Sequence, residues 1–180
     1  MTTIIYQNGS IYADSQATWP DGKIEYNTKK AFKYKDHLTS GCGNQWLMYY
    51  FAQNRTKGHK IRKFLMRHLK FFIWPCSDID ASEVESNNYF TKVIYLDNTQ
   101  LIVYDLNVKS FGKFSYILAK ENFRVKGSLK NKIYFSIGSG SKYAMEEMNK
   151  DEEDPYNSME YAIKNDPSTG GIIYKVCLNR

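Results

Sequence analysis

Runs of apolar residues separated by turn residues predict strands near the beginning of the chain. Thr3 to Tyr6 is apolar and β-branched, Asn8-Gly9 is the favoured two-residue hairpin turn, and Ile11 to Asp14 predicts the antiparallel partner. This hairpin would bring Asp14 back toward the amino end of the first strand. Shorter runs predict further strands over Lys23–Tyr26, Lys29–Tyr34 and His37–Ser40.

Apolar residues at helical spacing predict two neighbouring helices after these strands. Asn44 is a favourable N-cap for the first helix, and Gly58 separates it from a second helix that begins near His59. The second predicted helix carries basic residues around an apolar stripe, as an amphipathic helix does. The apolar face of the first predicted helix is formed by Trp46, Leu47, Tyr50 and Phe51.

The second half of the chain again shows strands followed by helices. Phe90–Tyr95, an Asp97-Asn98 turn and Gln100–Tyr104 predict a central hairpin. Later strands are predicted over Phe114–Leu118, Lys132–Ile137 and Ile172–Leu178, and helices after Gly140 and over Ser158–Lys164. This order indicates a single α+β domain over residues 1–180, with two sheets between helical layers.

Composition adds few constraints beyond a globular, soluble chain. The 180 residues are 42% apolar, and no apolar run is long enough to span a bilayer. No basic segment followed by an apolar one opens the chain, so a cytoplasmic location is expected. Three cysteines without metal-type spacing predict reduced thiols, and neither a metal nor a cofactor is expected.

The net charge of +6 is unevenly distributed along the chain. A basic stretch runs from Arg55 to Lys70, and an acidic one runs from Glu146 to Asp154. The basic stretch could bind nucleic acid, but its apolar residues recur at helical spacing and it contains no base-reading motif. We therefore favour a solvated or subunit-facing helix surface over a nucleic-acid site.

Thr2 is the most informative candidate for chemistry. An initiator Met1 before a small residue is the kind that aminopeptidases remove, and removal would leave Thr2 with a free α-amine and a hydroxyl. A threonine hydroxyl needs a base to become a nucleophile, and an α-amine has a pKa of about 7.7–8. The sequence thus predicts an N-terminal threonine nucleophile that carries its own base.

Several motifs occur in an order that resembles proteasome β subunits and the bacterial HslV peptidase. They are the initial Thr2-Thr3, the run from Ala13 to Thr18, Lys29-Lys30, Ser40-Gly41, the run from Ile137 to Ala144, and the run from Ser168 to Gly171. The segment from about Arg55 to Asn131 matches poorly. The resemblance implies the four-layer αββα sandwich of N-terminal nucleophile hydrolases, and a threonine endopeptidase activity.

The resemblance also implies roles for individual residues. Thr2 would be the nucleophile, Lys30 the cation that favours its alkoxide, and Asp14 the carboxylate that holds Lys30. The backbone N–H of Gly41 would stabilise the oxyanion. The residues implied to order proton transfers at the terminal amine are Ser139, Asp166 and Thr169, the last standing where the family usually has serine.

The same resemblance implies how substrate and partners bind. The backbone of Thr18 would pair with an extended polypeptide substrate. The specificity pocket would be lined by Ala17, Thr28, Phe32, Thr39 and Gly43. A homo-oligomeric ring and an ATPase partner that unfolds substrates are further expectations.

Other interpretations of these residues remain open at this point. If Met1 is retained, the α-amine belongs to Met1 and Thr2 loses its base, which favours a catalytically inert assembly or regulatory module. An N-terminal nucleophile amidase that acts on a small molecule is a third hypothesis. Taken singly, Asp14, Lys30, Ser139 and Asp166 also fit ordinary turn, surface or helix-capping roles.

Overall fold

Two antiparallel sheets form the centre of the described structure. The computed structural model describes residues 2–19, 21–34, 36–54, 71–76, 90–111, 114–126, 133–150 and 154–178. The second predicted helix, near His59, lies outside these ranges. The described strands are β1 (Thr3–Gln7), β2 (Ser10–Ala13), β3 (Ala17–Thr18), β4 (Ile24–Glu25), β5 (Ala31–Lys33), β6 (His37–Gly43), β7 (Phe71–Cys76), β8 (Phe90–Asp97), β9 (Gln100–Phe111), β10 (Phe114–Lys126), β11 (Tyr134–Gly138) and β12 (Tyr174–Cys177).

The first sheet has the strand order β11-β1-β2-β12 and contains the predicted hairpin. Ile4 pairs with Ala13, and Gln7 pairs with Ser10. Asn8 and Gly9 both have positive φ, at 46° and 84°, as a two-residue hairpin of the primed type requires. The prediction of a hairpin that returns to the amino end is confirmed.

The second sheet has the order β5-β6-β8-β9-β10-β7, and a separate β3-β4 pair lies outside both sheets. The predicted hairpin of β8 and β9 is confirmed, although both strands continue beyond the predicted ends. Strand β7 was not predicted, because it contains Pro75. Proline removes a donor from the hydrogen-bond ladder, and β7 accommodates it as an edge strand of the sheet.

Three described helices flank the sheets, namely α1 (Gln45–Asn54), α2 (Ser141–Met148) and α3 (Pro155–Asn165). Asn44 caps α1 as predicted, since its Oδ1 accepts from the Leu47 N–H at 3.1 Å. Helix α3 begins three residues before the predicted Ser158, because Asp154 caps it and Pro155 occupies its first turn. No helix in the described part of the chain is both long and apolar enough to cross a membrane.

The described residues form three apolar clusters in the core. Ile4 of the first sheet and Ile94 of the second belong to one cluster, which joins the two sheets. Leu47 of α1 packs with Val93 of the second sheet, and Ile5 of the first sheet packs with residues of α2 and α3. Strands buried on both faces explain the continuous apolar runs of the sequence. The result is a strand-rich, mixed α/β structure.

Candidate active site

The first hairpin brings Asp14 to the start of β1. The Thr3 N–H donates to Asp14 Oδ1 at 2.8 Å, and Asp14 is completely buried. Two more backbone N–H groups, of Gln16 and Gly170, donate to Asp14 Oδ2 at 3.2 and 3.1 Å. A buried carboxylate needs such donors to replace water. Asp14 is thus fixed next to the residue that follows Thr2.

Lys30 forms an ion pair with Asp14 inside the protein. Its Nζ lies 3.1 Å from both carboxylate oxygens and also donates to the Gln16 carbonyl oxygen. The side chains of Lys30 and Asp14 are only 5% and 0% exposed, so the pair is shielded from water. Burying an ion pair at this depth costs desolvation free energy, and removing one partner would strongly destabilise the fold. Lys30 is therefore not an ordinary surface lysine that serves solubility.

Burial is the main influence on the protonation of both members of this pair. It lowers the pKa of the Lys30 ammonium below its ordinary value, while the Asp14 charge opposes that change. It raises the pKa of Asp14, against the Lys30 charge and the N–H donors of Thr3 and Gly170. The lowered pKa makes the Lys30 ammonium a stronger acid than an exposed lysine, so it releases a proton more readily.

Ser139, Asp166 and Thr169 form a second polar cluster. The hydroxyls of Ser139 and Thr169 each donate to Asp166 Oδ2 at 2.6 Å, and the Ser168 N–H donates to Oδ1 at 3.1 Å. Burial acts to raise the pKa of Asp166, but the hydrogen bonds from Ser139 and Thr169 hold that pKa below its ordinary value. Asp166 is therefore a carboxylate at neutral pH.

This second cluster is joined directly to the beginning of β1. The Ser139 N–H donates to the Thr2 carbonyl oxygen at 3.0 Å, which fixes the backbone of Thr2. Gly138 has φ of +107°, and a Cβ there would overlap the Thr2 carbonyl oxygen, so a side chain cannot be accommodated. Thr3 Oγ1 lies 2.6 Å from Thr169 Oγ1.

One cavity of about 370 Å³ opens onto Thr2 and Lys30. Thr2 lines this cavity and is 6% exposed. Among the described residues lining the cavity, Lys30 is the one that carries a charge. The described residues that line the cavity are Thr2, Ala17, Thr18, Trp19, Thr28, Lys30, Gly41, Gly43, Asn44, Gln45, Trp46 and Met48.

The structure brings most of the predicted site residues to this cavity or directly behind it. Asp14, Ser139, Asp166 and Thr169 are connected to Thr2 or Lys30 through the contacts above. Two predicted pocket residues are not among the lining residues. The ring of Phe32 packs against Tyr49 with 5.1 Å between centroids, and Thr39 is completely buried within β6.

Glycines at the cavity leave little space next to the backbone. A Cβ at Gly41 would lie 3.0 Å from both the Lys92 carbonyl oxygen and Met48 Cγ. At Gly43 the φ is +115°, and a Cβ would overlap the Phe90 carbonyl oxygen. The end of β6 therefore packs closely against neighbouring backbone, and glycine is needed at these two positions.

Sequence reasoning missed two groups of residues at the site. One group lines the cavity from the residue after β3 and from the start of α1, namely Trp19, Asn44, Gln45, Trp46 and Met48. The start of α1 only a few residues after Gly41 could have indicated the last four. The other is Thr3, and its pairing with Thr169 has no signal in the sequence because 166 positions separate the two residues.

Cys42 stands next to Gly41 but is not a second nucleophile. Burial raises the pKa of its thiol to about 11, so the group stays protonated at neutral pH. Cys42 and Cys177 are both free thiols. In the part of the chain that the structure describes, no group of three histidine, cysteine or acidic side chains could hold a metal ion.

Comparison with known proteins gives a likeness of fold. No family model and no curated protein matches the chain. BPH of Thiobacillus denitrificans, solved in complex with epoxomicin, matches with a TM-score of 0.53 at 14% identity, over 98% of this chain and 97% of that one. Eukaryotic HslV from Trypanosoma brucei matches with a TM-score of 0.51 at 11% identity, over 99% of both chains. The chain therefore shares the proteasome-like fold, as the sequence resemblance predicts.

Proposed function

We propose that the chain is a threonine-type endopeptidase that uses Thr2 as its nucleophile once Met1 has been removed. The observation that carries this proposal is the meeting of Thr2, Lys30 and Gly41 at one cavity, with Asp14 bonded to Lys30 and to the residue after the nucleophile. Acyl transfer is favoured where a nucleophilic hydroxyl, a fixed positive charge and a backbone N–H that can stabilise the oxyanion come together.

In the proposed reaction, Thr2 Oγ1 attacks the carbonyl carbon of the scissile peptide and its proton moves to the Thr2 α-amine. The amine passes that proton to the leaving nitrogen as the peptide C–N bond breaks, which leaves an ester on Thr2. Water then gives a proton to the same amine and attacks the ester carbon, the bond from that carbon to Thr2 Oγ1 breaks, the acid product leaves, and the amine returns the proton to Oγ1. Each half of the reaction returns the amine to its starting state.

The surrounding residues have separate roles in this proposal. Lys30 favours the alkoxide and relays protons, Asp14 holds Lys30, and the Gly41 N–H stabilises the oxyanion. The terminal amine of Thr2 has its proton transfers ordered by Ser139, Asp166 and Thr169. Thr18 pairs through its backbone with an extended polypeptide, while Ala17, Thr28 and Gly43 belong to the specificity pocket, together with Phe32 and Thr39 from behind the lining.

The larger arrangement is proposed on the family resemblance. Helix packing on the outer faces of both sheets supports a four-layer αββα sandwich, formed by a single domain. A homo-oligomeric cytoplasmic ring, fed by an ATPase that unfolds substrates, would keep such a site away from folded proteins.

Intact mass before and after incubation with an epoxyketone peptide tests the proposal. This reagent forms one bond to a hydroxyl oxygen and one to an adjacent amine, so it requires both groups on one residue. We expect the loss of Met1 and a single adduct located on Thr2. Retained Met1 without an adduct would favour the inert assembly module, and cleavage of small amides without peptides would favour the amidase.

The cavity lining predicts a preference for uncharged, bulky side chains on the amino side of the cleaved bond. Two tryptophans and Met48 line it, and the charge of Lys30 is compensated by Asp14. Burying an unpaired charge there would be costly. Peptides with leucine or phenylalanine at this position should have kcat/KM roughly 10-fold or more above those with aspartate or lysine.

A matched pair of variants at Gln45 checks the same prediction. Gln45 lines the cavity at the start of α1, and its side chain donates to the Tyr49 hydroxyl at 3.3 Å. Gln45→Glu should improve cleavage after lysine, and Gln45→Lys should improve cleavage after aspartate, because each adds the complementary charge. If neither variant changes the ranking of peptides, the cavity does not receive that side chain.

A further inference from the structure

A continuous chain of hydrogen bonds runs behind Thr2. The Gly140 N–H donates to Thr3 Oγ1 at 3.0 Å, Thr3 Oγ1 lies 2.6 Å from Thr169 Oγ1, and Thr169 donates to Asp166 Oδ2 at 2.6 Å. From the other side, Ser139 Oγ donates to the same oxygen of Asp166 at 2.6 Å. Thr3 and Thr169 are 0% and 3% exposed, so the protein supplies the partners in place of water.

The number of available protons determines which group donates in each of these hydrogen bonds. A hydroxyl has one proton to donate, and an ionised carboxylate can only accept. Thr169 gives its proton to Asp166, so the contact with Thr3 requires the Thr3 hydroxyl to be the donor. The Gly140 N–H can only donate, so Thr3 Oγ1 accepts from it. The hydroxyl proton of Thr3 therefore remains available for donation to Thr169.

The same count determines what Ser139 can offer to the amine of Thr2. Its single proton is donated to Asp166, so the oxygen of Ser139 retains acceptor lone pairs. An α-ammonium has only protons to give and needs acceptors around it. The direction of the hydrogen bonds that end on Asp166 therefore leaves Ser139, whose backbone N–H is bonded to the Thr2 carbonyl oxygen, with acceptor lone pairs and no free hydroxyl proton.

We propose that Thr3 is a positioning residue, whose hydroxyl orients the Thr169–Asp166–Ser139 cluster to accept protons from the Thr2 amine. This inference rests on the proposed function for its role in catalysis, but the hydroxyl chain itself can be tested separately. Thr3 does not touch the reacting atoms. It acts by donating to Thr169, which makes the Thr169 hydroxyl a stronger donor to Asp166.

The test measures the pKa of the Asp166 carboxyl by carbon-13 NMR titration in the wild type, Thr3→Val, Thr169→Val and the double variant. Valine has the shape of threonine without the hydroxyl. Thr169→Val should raise the Asp166 pKa most, because a direct donor is lost, and Thr3→Val should raise it less. The double variant should match Thr169→Val, because the Thr3 hydroxyl acts only through Thr169.

The rate of Thr2 modification by the epoxyketone peptide gives the second measurement. Thr3→Val should lower the rate roughly 10-fold, the size of one lost hydrogen bond, and Thr3→Ser should recover most of it. A carboxylate with a raised pKa is protonated sooner on acidification, so the acid side of the pH–rate profile should move to higher pH. A purely structural role for Thr3 would not move that profile.

Ser136→Ala is the matched control. The Ser136 hydroxyl donates to the Ile4 carbonyl oxygen at 2.9 Å, between β11 and β1. It takes no part in the hydrogen bonds that link Thr3, Thr169 and Asp166. This variant should lower stability without changing the Asp166 pKa. An unchanged Asp166 pKa in Thr3→Val, or a rise that adds fully to that of Thr169→Val, would overturn the inference. If the wild type takes up no probe, the proposed function fails, while the titration still decides the direction of the chain.

Discussion

Replacement of Lys30 by alanine is expected to lower the rate of Thr2 modification roughly 10³-fold, by analogy with the loss of a preorganised charge from an active site. Lys30 is the charged group at the cavity that contains Thr2, and Asp14 holds its Nζ at 3.1 Å from both carboxylate oxygens. Without this cation, the Thr2 alkoxide loses the positive charge placed to stabilise it.

Loss of folding must be separated from loss of chemistry in this variant. Removal of one partner from a buried ion pair costs about 3–5 kcal/mol, since Asp14 is left unpaired. Lys30→Met keeps most of the volume of lysine and is the better comparison. The free energy of unfolding, measured by denaturant titration, shows how much of each variant is folded under assay conditions.

The pH dependence of stability gives an internal check on the Lys30→Met variant. Unpaired and buried, Asp14 should have a pKa in the folded state well above that of the unfolded chain. The folded state then holds more protons between these two pKa values, so the free energy of unfolding falls as the pH rises through that range. A variant that is folded at the lower pH yet less reactive than the wild type at that same pH would assign the loss to chemistry. Wild-type reactivity in folded Lys30→Ala would contradict the role of Lys30.

Removal of the Thr2 hydroxyl should abolish the proposed endopeptidase activity. Thr2→Val keeps the shape and the α-amine but has no oxygen to form the ester, so peptide cleavage should fall by roughly 10⁴ or more and no probe adduct should form. Thr2→Ser keeps both groups and should retain partial activity. Mass spectrometry must confirm the same amino terminus in all three proteins.

Comparison of the serine and valine variants isolates the hydroxyl from every other property of Thr2. The β-branched methyl of threonine restricts the rotamers that the hydroxyl can adopt, so some loss of activity is expected in the serine variant. A serine variant with an intact amine and no activity would contradict the nucleophile assignment, as would cleavage by the valine variant.

Local sequence patterns determined those parts of the site that are close along the chain. Asn8-Gly9 set the hairpin turn, and the pairing of Ile4 with Ala13 follows from it, which brings Asp14 to Thr3. Asn44 set the start of α1 through its cap. Lys30, in contrast, was identified only through the family resemblance, because nothing in its immediate surroundings distinguishes it from a surface lysine.

By itself, the sequence predicted an α+β domain, the main hairpins and Thr2 as the candidate nucleophile, while the strand-rich character emerged from the structure. Only the tertiary structure decided that Thr3 meets Thr169, that Trp46 and Met48 line the cavity, and that Phe32 packs on Tyr49. The physical reason is that turns and caps depend on neighbouring residues, whereas these contacts depend on how two sheets and three described helices pack. Their registers are fixed by the burial of all strands together, and no short segment contains that information.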